Sequence, residues 1–278
     1  MRDRRTICGG GLPGILGRTE SRRITITEPE LAQARALREK YLQQAVGTRR
    51  ITVKRLTPTF TGDFNKDLKG AETVSYKKQD DAAVRTAAAW DDANLYLAWD
   101  VKDSTPWANG AEAPEFLYAS GDTVDFQLGT DPAADPKRAE AVLGDLRLSI
   151  GPLKGVPTAV LFRPKATEKA PKKFYSGVVR DGYTVESVAV VQEAKIAVTI
   201  HRDKKGYTVQ AAIPLAALGI KPADGLTLRG DFGVTHGDPA GRDTALRTHW
   251  SNQATGIVND EVFELKLEPR NWGELVFR

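Results

Sequence analysis

Apolar and polar positions along this chain alternate in many short runs. The clearest lies within residues 84–103, where Leu95, Leu97, Trp99 and Val101 share one face of a period-two pattern, and Tyr96, Ala98 and Asp100 share the other. Such alternation predicts a strand with one well-buried side. The run before it, residues 84–90, is joined to it by Asp91-Asp92-Ala93-Asn94. Asp and Asn bond their own backbone and tolerate left-handed conformations, so this quartet predicts a hairpin. The second run leads into Ser104-Thr105-Pro106-Trp107. An aromatic on a loop beside a rigid sheet builds a binding site or closes off a core, and the pattern permits both for Trp107.

The same alternation predicts strands over residues 51–56, 73–76, 122–128, 146–150, 156–162, 184–191, 196–201, 207–213, 226–235, 246–250 and 273–277. Residues 104–120, 129–144 and the stretch after Trp250 read as loops, and 164–173 as a polar Lys- and Pro-rich link. Pro214 ends one strand, and residues 215–218 form a helical turn stopped by Gly219. A longer helix is predicted over residues 27–47, with Thr27 as cap, Pro29 in the first turn, and Leu31, Ala34, Leu37, Tyr41 and Ala45 at helical spacing. Short strands in this number, preceded by one helix, predict an all-β protein: an antiparallel β-sandwich of jelly-roll or immunoglobulin-like style with an N-terminal helix. No βαβ alternation, repeat or phosphate-binding loop is present.

Composition narrows this further. The 278 residues suit one large β domain over residues 51–278. Cys8 is the single cysteine, which excludes an intrachain disulfide and a Cys-based zinc site. No apolar run reaches the roughly 20 residues of a membrane span. Residues 1–55 hold 13 Lys or Arg against 5 Asp or Glu, leaving 27 against 31 for the remainder. The basicity therefore belongs to the amino-terminal segment, and the mildly acidic bulk argues against a nucleic-acid partner. Residues 1–26 are Arg- and Gly-rich. Arg4-Arg5 ahead of an apolar run is leader-like, but Gly9, Gly10, Gly11, Gly14 and Gly17 interrupt it, so the segment reads as a disordered or leader-like tail.

Several motifs fall in a telling order: Gly62-Asp63-Phe64, WDDANLYLAWDVKD at 90–103, Thr105-Pro106-Trp107, GDTVDF at 121–126, YTVQAAIPLAAL at 207–218, THWSNQ at 248–253 and NWGELVF at 271–277. Together they resemble a family-nine carbohydrate-binding module, a β-sandwich of the DOMON-like superfamily, over residues 51–278. The resemblance implies a non-catalytic module of an exported, secreted or periplasmic bacterial protein, with an oligo- or polysaccharide as partner in a polysaccharide-degrading system. In that family a sugar lies between aromatic rings while charged and amide groups reach its hydroxyls. The C–H face of a pyranose suits an aromatic ring, and its hydroxyls need directional donors and acceptors. Carried over residue by residue, Trp107 is the first stacking residue, Asp125 the acidic contact and Arg147 the basic one. Asp145 and Ser149 share the face of Arg147 at two-residue spacing, and Asn252 lies in THWSNQ.

The chain also departs from that pattern. The second aromatic expected after Trp250 is missing, and an insertion over residues 108–120 brings Phe116 and Tyr118, either of which could supply the missing wall. Trp90, Trp99, Trp250 and Trp272 read as core. Asp231, Asp238 and Asp243 are close in sequence and suit a structural calcium, although EF-hand spacing is absent. Three alternatives stand beside sugar binding. One is a haem-binding domain of the same superfamily, disfavoured because Met1 is the sole methionine. Another is a structural sandwich that has lost the sugar site and packs against other domains. The third is a glycoside hydrolase, disfavoured because Asp122 and Asp125 are oddly spaced and so face opposite ways along a strand.

Overall fold

The computed structural model describes residues 49–176, 182–253 and 258–278. The tail expected over residues 1–26 and the helix expected over 27–47 lie outside the described residues. Among the described residues fifteen strands follow in order, beginning with β1 (Arg50–Arg55), β2 (Thr73–Lys77), β3 (Ala83–Trp90), β4 (Asn94–Lys102) and β5 (Thr123–Gly129). Next come β6 (Asp145–Leu153), β7 (Val156–Arg163), β8 (Lys172–Phe174), β9 (Tyr183–Val185) and β10 (Ser187–Val190). The last are β11 (Lys195–Ile200), β12 (Gly206–Pro214), β13 (Thr227–Gly237), β14 (Thr244–His249) and β15 (Gly273–Phe277).

One layer runs β10-β7-β6-β5-β13-β15, with β14 also paired to β13, and the other runs β2-β3-β4-β12-β11. β1 belongs to both. Its first four residues pair with β15 and its last two with β3, in parallel each time. The expectation of an antiparallel sandwich therefore holds for the two layers and is corrected at β1, which crosses between them and runs parallel to both neighbours.

The core forms between the layers as the alternation requires. Leu95, Leu97, Trp99 and Val101 face Val124, Phe126, Leu128, Phe232 and Val234 across it. The Trp99 ring meets Phe232 with centroids 6.1 Å apart, and Trp90 meets Phe277 at 6.2 Å, both edge-on. Each large ring buried in this way contributes on the order of 2–3 kcal/mol. The hairpin at 91–94 closes as predicted: Asp91 Oδ1 accepts from the amides of Ala93 and Asn94 at 2.9 and 2.8 Å.

Three segments read as loop or link carry structure. Residues 104–120 contain a 3-10 helix, Pro114–Ala119. The stretch after Trp250 contains an α-helix, Glu261–Leu265. The polar link contributes β8, paired with β9. The two helices matter most. The outward face of the first layer carries a second hydrophobic cluster, Leu117, Tyr118, Val160, Phe162, Phe174, Val262 and Leu265, to which both helices contribute. Consequently β5 is buried along its whole length on both faces, where alternation predicts only one.

Candidate functional site

The covered outward face of the first layer is dominated by polar side chains. Ladder registers place them in rows: Ser149, Asp125, Gly233 and His249 lie side by side on β6, β5, β13 and β14, and Arg147, Gln127 and Asp231 form the next row. Directly paired residues point to the same side of a sheet, so all share this face. A methyl group at Gly233 would lie 2.7 Å from the His249 ring. The missing side chain there is what lets that ring lie across the strand.

Charge on this face is buried and paired. Arg147, 1% exposed, forks onto Asp125, with Nε 3.0 Å from Oδ1 and Nη2 2.6 Å from Oδ2. The Ser149 hydroxyl donates to the same carboxylate. Burial by itself would raise the Asp125 carboxyl, but Arg147 and Ser149 outweigh it and hold the group below its ordinary value. The Tyr118 ring stacks against the Arg147 guanidinium at 5.3 Å, and its hydroxyl donates to the Glu261 carbonyl at 2.9 Å. On the far side His249 Nδ1 lies 3.2 Å from Asp231, which also accepts the amides of Ser251 and Asn252. Between them sits Arg247. Burial, aided by nearby Arg147, lowers it to about 10, so it remains a cation at neutral pH. Burial raises the Glu264 carboxyl against the opposing pull of Arg247 and the Thr244 hydroxyl.

The helix over this face has a local cause. Asp260 caps it by accepting the Phe263 amide at 3.0 Å, while Glu264 accepts the Asp260 amide at 3.3 Å. The 3-10 helix starts at Pro114, whose fixed φ suits a first helical position.

The structure thus brings Asp125, Arg147, Ser149 and Tyr118 together. Asp145 lies on the same face of β6 but is taken by Arg138 in a separate buried ion pair, and accepts the Val142 amide at 2.9 Å. Asn252 borders the cluster, donating to Asp231 through its amide and to Glu268 through its side chain. Trp107 is not brought to them. Its backbone is left-handed, with φ 62°, and its half-buried ring lies on Tyr207, centroids 4.9 Å apart, on the core side of the sheets.

A second buried polar group, not anticipated from the sequence, surrounds that end of the core. His236 Nδ1 lies 2.8 Å from Asp103. Asp122 accepts the amides of Gly237 and of Ala108. Burial raises Asp122 to about 6, and the nearby Asp103 carboxylate adds to the rise. Gly121 makes the approach possible: its φ is 124°, and a side chain there would strike the Ala108 carbonyl. Arg247, His249 and Glu264 also went unforeseen. The signal for the first two was the alternation of β14, which puts them on the face of Asp231.

Two of the three aspartates weighed as calcium ligands have protein partners. Asp231 serves His249, and Asp238 accepts the amides of Arg242 and Asp243 in a turn. Among the described residues no group of three or more His, Cys, Asp or Glu side chains is arranged to hold a metal ion. His201, like the other two histidines, faces a carboxylate, Asp100 at 3.0 Å.

No family model matches the chain, and no curated protein matches it. Solved structures do. A family 9 carbohydrate-binding module from Caldicellulosiruptor kristjanssonii in complex with cellotriose is 16% identical, with a TM-score of 0.54 over 83% of this chain and 94% of that one. A module of that family from the same organism, in complex with glucose, is 17% identical, with a TM-score of 0.52 over 83% and 96%. The chain has the fold of a family-nine carbohydrate-binding module. At these identities the likeness is one of fold.

Proposed function

We propose that this chain is a non-catalytic carbohydrate-binding module whose sugar contacts come from the outward face of its first layer. The observation that carries the reading is the cluster of Asp125, Arg147 and Ser149 on one face of β5 and β6 with the Tyr118 ring from the 3-10 helix above it. Such a face combines an oriented guanidinium, a carboxylate, a hydroxyl and a ring, which together match the hydroxyls and C–H faces of a pyranose. The fold likeness supports the same reading, since both solved modules hold a sugar. A binding role without catalysis is supported by the carboxylates. Asp125 is held ionised by Arg147, and Asp122 is sealed at the core end, so the two do not flank a common bond. Membership of an exported, polysaccharide-degrading bacterial system rests on the fold likeness alone. No described helix is long and apolar enough to cross a membrane.

Calorimetry with cellotriose and a panel of α- and β-linked oligosaccharides at millimolar concentration tests the reading. Binding is expected in the wild type. Arg147→Lys, which keeps the charge but loses the fork, is expected to weaken it by about tenfold or more. A folded wild type that takes up no sugar in the panel would sink the proposal.

A further inference from the structure

The polar face is already occupied, and by the chain itself. Residues 259–265 offer it what a polyhydroxyl ligand would. The Glu264 carbonyl accepts from Arg147 Nη1, and the Glu261 carbonyl accepts from the Tyr118 hydroxyl. The Glu264 carboxylate accepts from the Thr244 hydroxyl at 3.0 Å, and Asn259 Oδ1 accepts the Thr244 amide at 3.1 Å.

This occupation is incomplete. Arg247 Nε, Thr123 Oγ1 and Thr235 Oγ1 are buried without a hydrogen-bond partner. These residues form one cross-strand row, Thr123 opposite Thr235 and Thr235 opposite Arg247. Native interiors keep few such atoms, because each forfeits the hydration it had in the unfolded chain. The row therefore holds hydrogen-bonding capacity that the covering segment leaves unspent and that a ligand rich in hydroxyls can use.

The cover is also lightly held. A helix of five residues has no stability of its own, so its place depends on packing. That packing comes from Val262 and Leu265, both buried in the outer cluster, while Phe263 beside them is 40% exposed. A few hydrogen bonds and two apolar side chains hold the segment, and those hydrogen bonds are of a kind that a hydroxyl-rich ligand also makes.

We propose that residues 259–265 are a displaceable intrachain occupant of this face, competing with a polyhydroxyl ligand of the sugar class. The proposal rests on the carbohydrate reading above and adds regulation to it. Apparent affinity is then the intrinsic affinity scaled by the fraction of molecules in which the cover has lifted.

The test is calorimetric titration of the full chain with cellotriose, in the wild type and in Leu265→Ala and Val262→Ala, with folding checked by circular dichroism. Loosening the cover is expected to tighten binding, by about tenfold for Leu265→Ala and about threefold for Val262→Ala. If Leu265→Ala does not fold, Val262→Ala decides. Folded variants that bind equally or more weakly than a wild type that does bind overturn the displaceable cover and leave the carbohydrate reading standing. Folded proteins that all fail to bind overturn both.

Discussion

Two buried polar groups of similar depth treat charge in opposite ways. On the outward face of the first layer, Arg147 neutralises Asp125 through two parallel hydrogen bonds, so the carboxylate is ionised despite its burial. At the end of the core, Asp122 lies near a second carboxylate, Asp103, and burial raises its pKa to about 6. Burial is common to both groups, so it is the sign of the neighbouring charge that decides which protonation state the fold prefers. The first group lies under two short helices on the outward face, whereas the second ties the loops at one end of the sandwich to each other.

Splitting the outward pair has the largest expected effect. Arg147→Met leaves Asp125 buried without its cation and is expected to cost about 3–5 kcal/mol in urea unfolding. The double variant Asp125→Leu with Arg147→Met is expected to recover most of that loss, because an apolar pair of similar volume needs no desolvation of charge. A double variant as unstable as the single one would show that shape, rather than charge, holds the pair.

Acidity separates the two groups next. The folded-state pKa of Asp122 lies above its ordinary value, so the fold binds this proton more tightly than the unfolded chain does. The stability it contributes is present below about 4 and is lost as pH rises through about 6. That loss amounts to about 2–3 kcal/mol between these limits. Asp125 has the opposite sign: its lowered pKa contributes stability above the ordinary carboxylate range, which is lost as pH falls through the lowered value. Urea midpoints measured from pH 4.5 to 8 are expected to fall as pH rises to about 6 and to level off above it, with a shallower fall in Asp103→Asn, which removes the like charge but not the burial. A wild-type profile without that fall would place Asp122 in a less constrained setting than its contacts indicate.

The smallest expected effect sharpens the contrast in function. Trp107 belongs to the core end, on Tyr207, so Trp107→Ala is expected to change cellotriose affinity by no more than about twofold, which is about 0.4 kcal/mol. Loss of binding in that variant, measured by calorimetry, would move the proposed sugar site from the outward face to the end of the core. The left-handed backbone of Trp107 fits either outcome, since strain of this kind occurs at structural closures as well as at ligand sites.

Much of the fold was legible in the chain. The period-two runs identified most of the strands, and Asp91-Asp92-Ala93-Asn94 identified the hairpin, because alternation and turn chemistry are local properties. The parallel pairing of β1 was not legible: a partner more than two hundred residues away, such as Phe277 for Val53, leaves no mark on a six-residue run. The helix Glu261–Leu265 was missed because five residues are too few to establish a period, although Asp260 is of a preferred cap type and accepts the Phe263 amide three positions on. Placing Asp145, Arg147 and Ser149 on one face required only their spacing and a strand assignment, whereas setting Asp125 beside them took the register of β5 against β6.

Local chemistry therefore determined which residues form strands, which side chains within a strand share a face, and that Asp145, Arg147 and Ser149 point the same way. Whether that face is open or covered was decided only by tertiary structure. Cover comes from two short helices, distant in sequence, that meet over it through Tyr118, Val262 and Leu265. The position of Trp107 on the core side of the sheets was settled in the same way, by its contact with Tyr207 on β12. Burial depends on what lies above a residue in space, and neither period nor spacing carries that information.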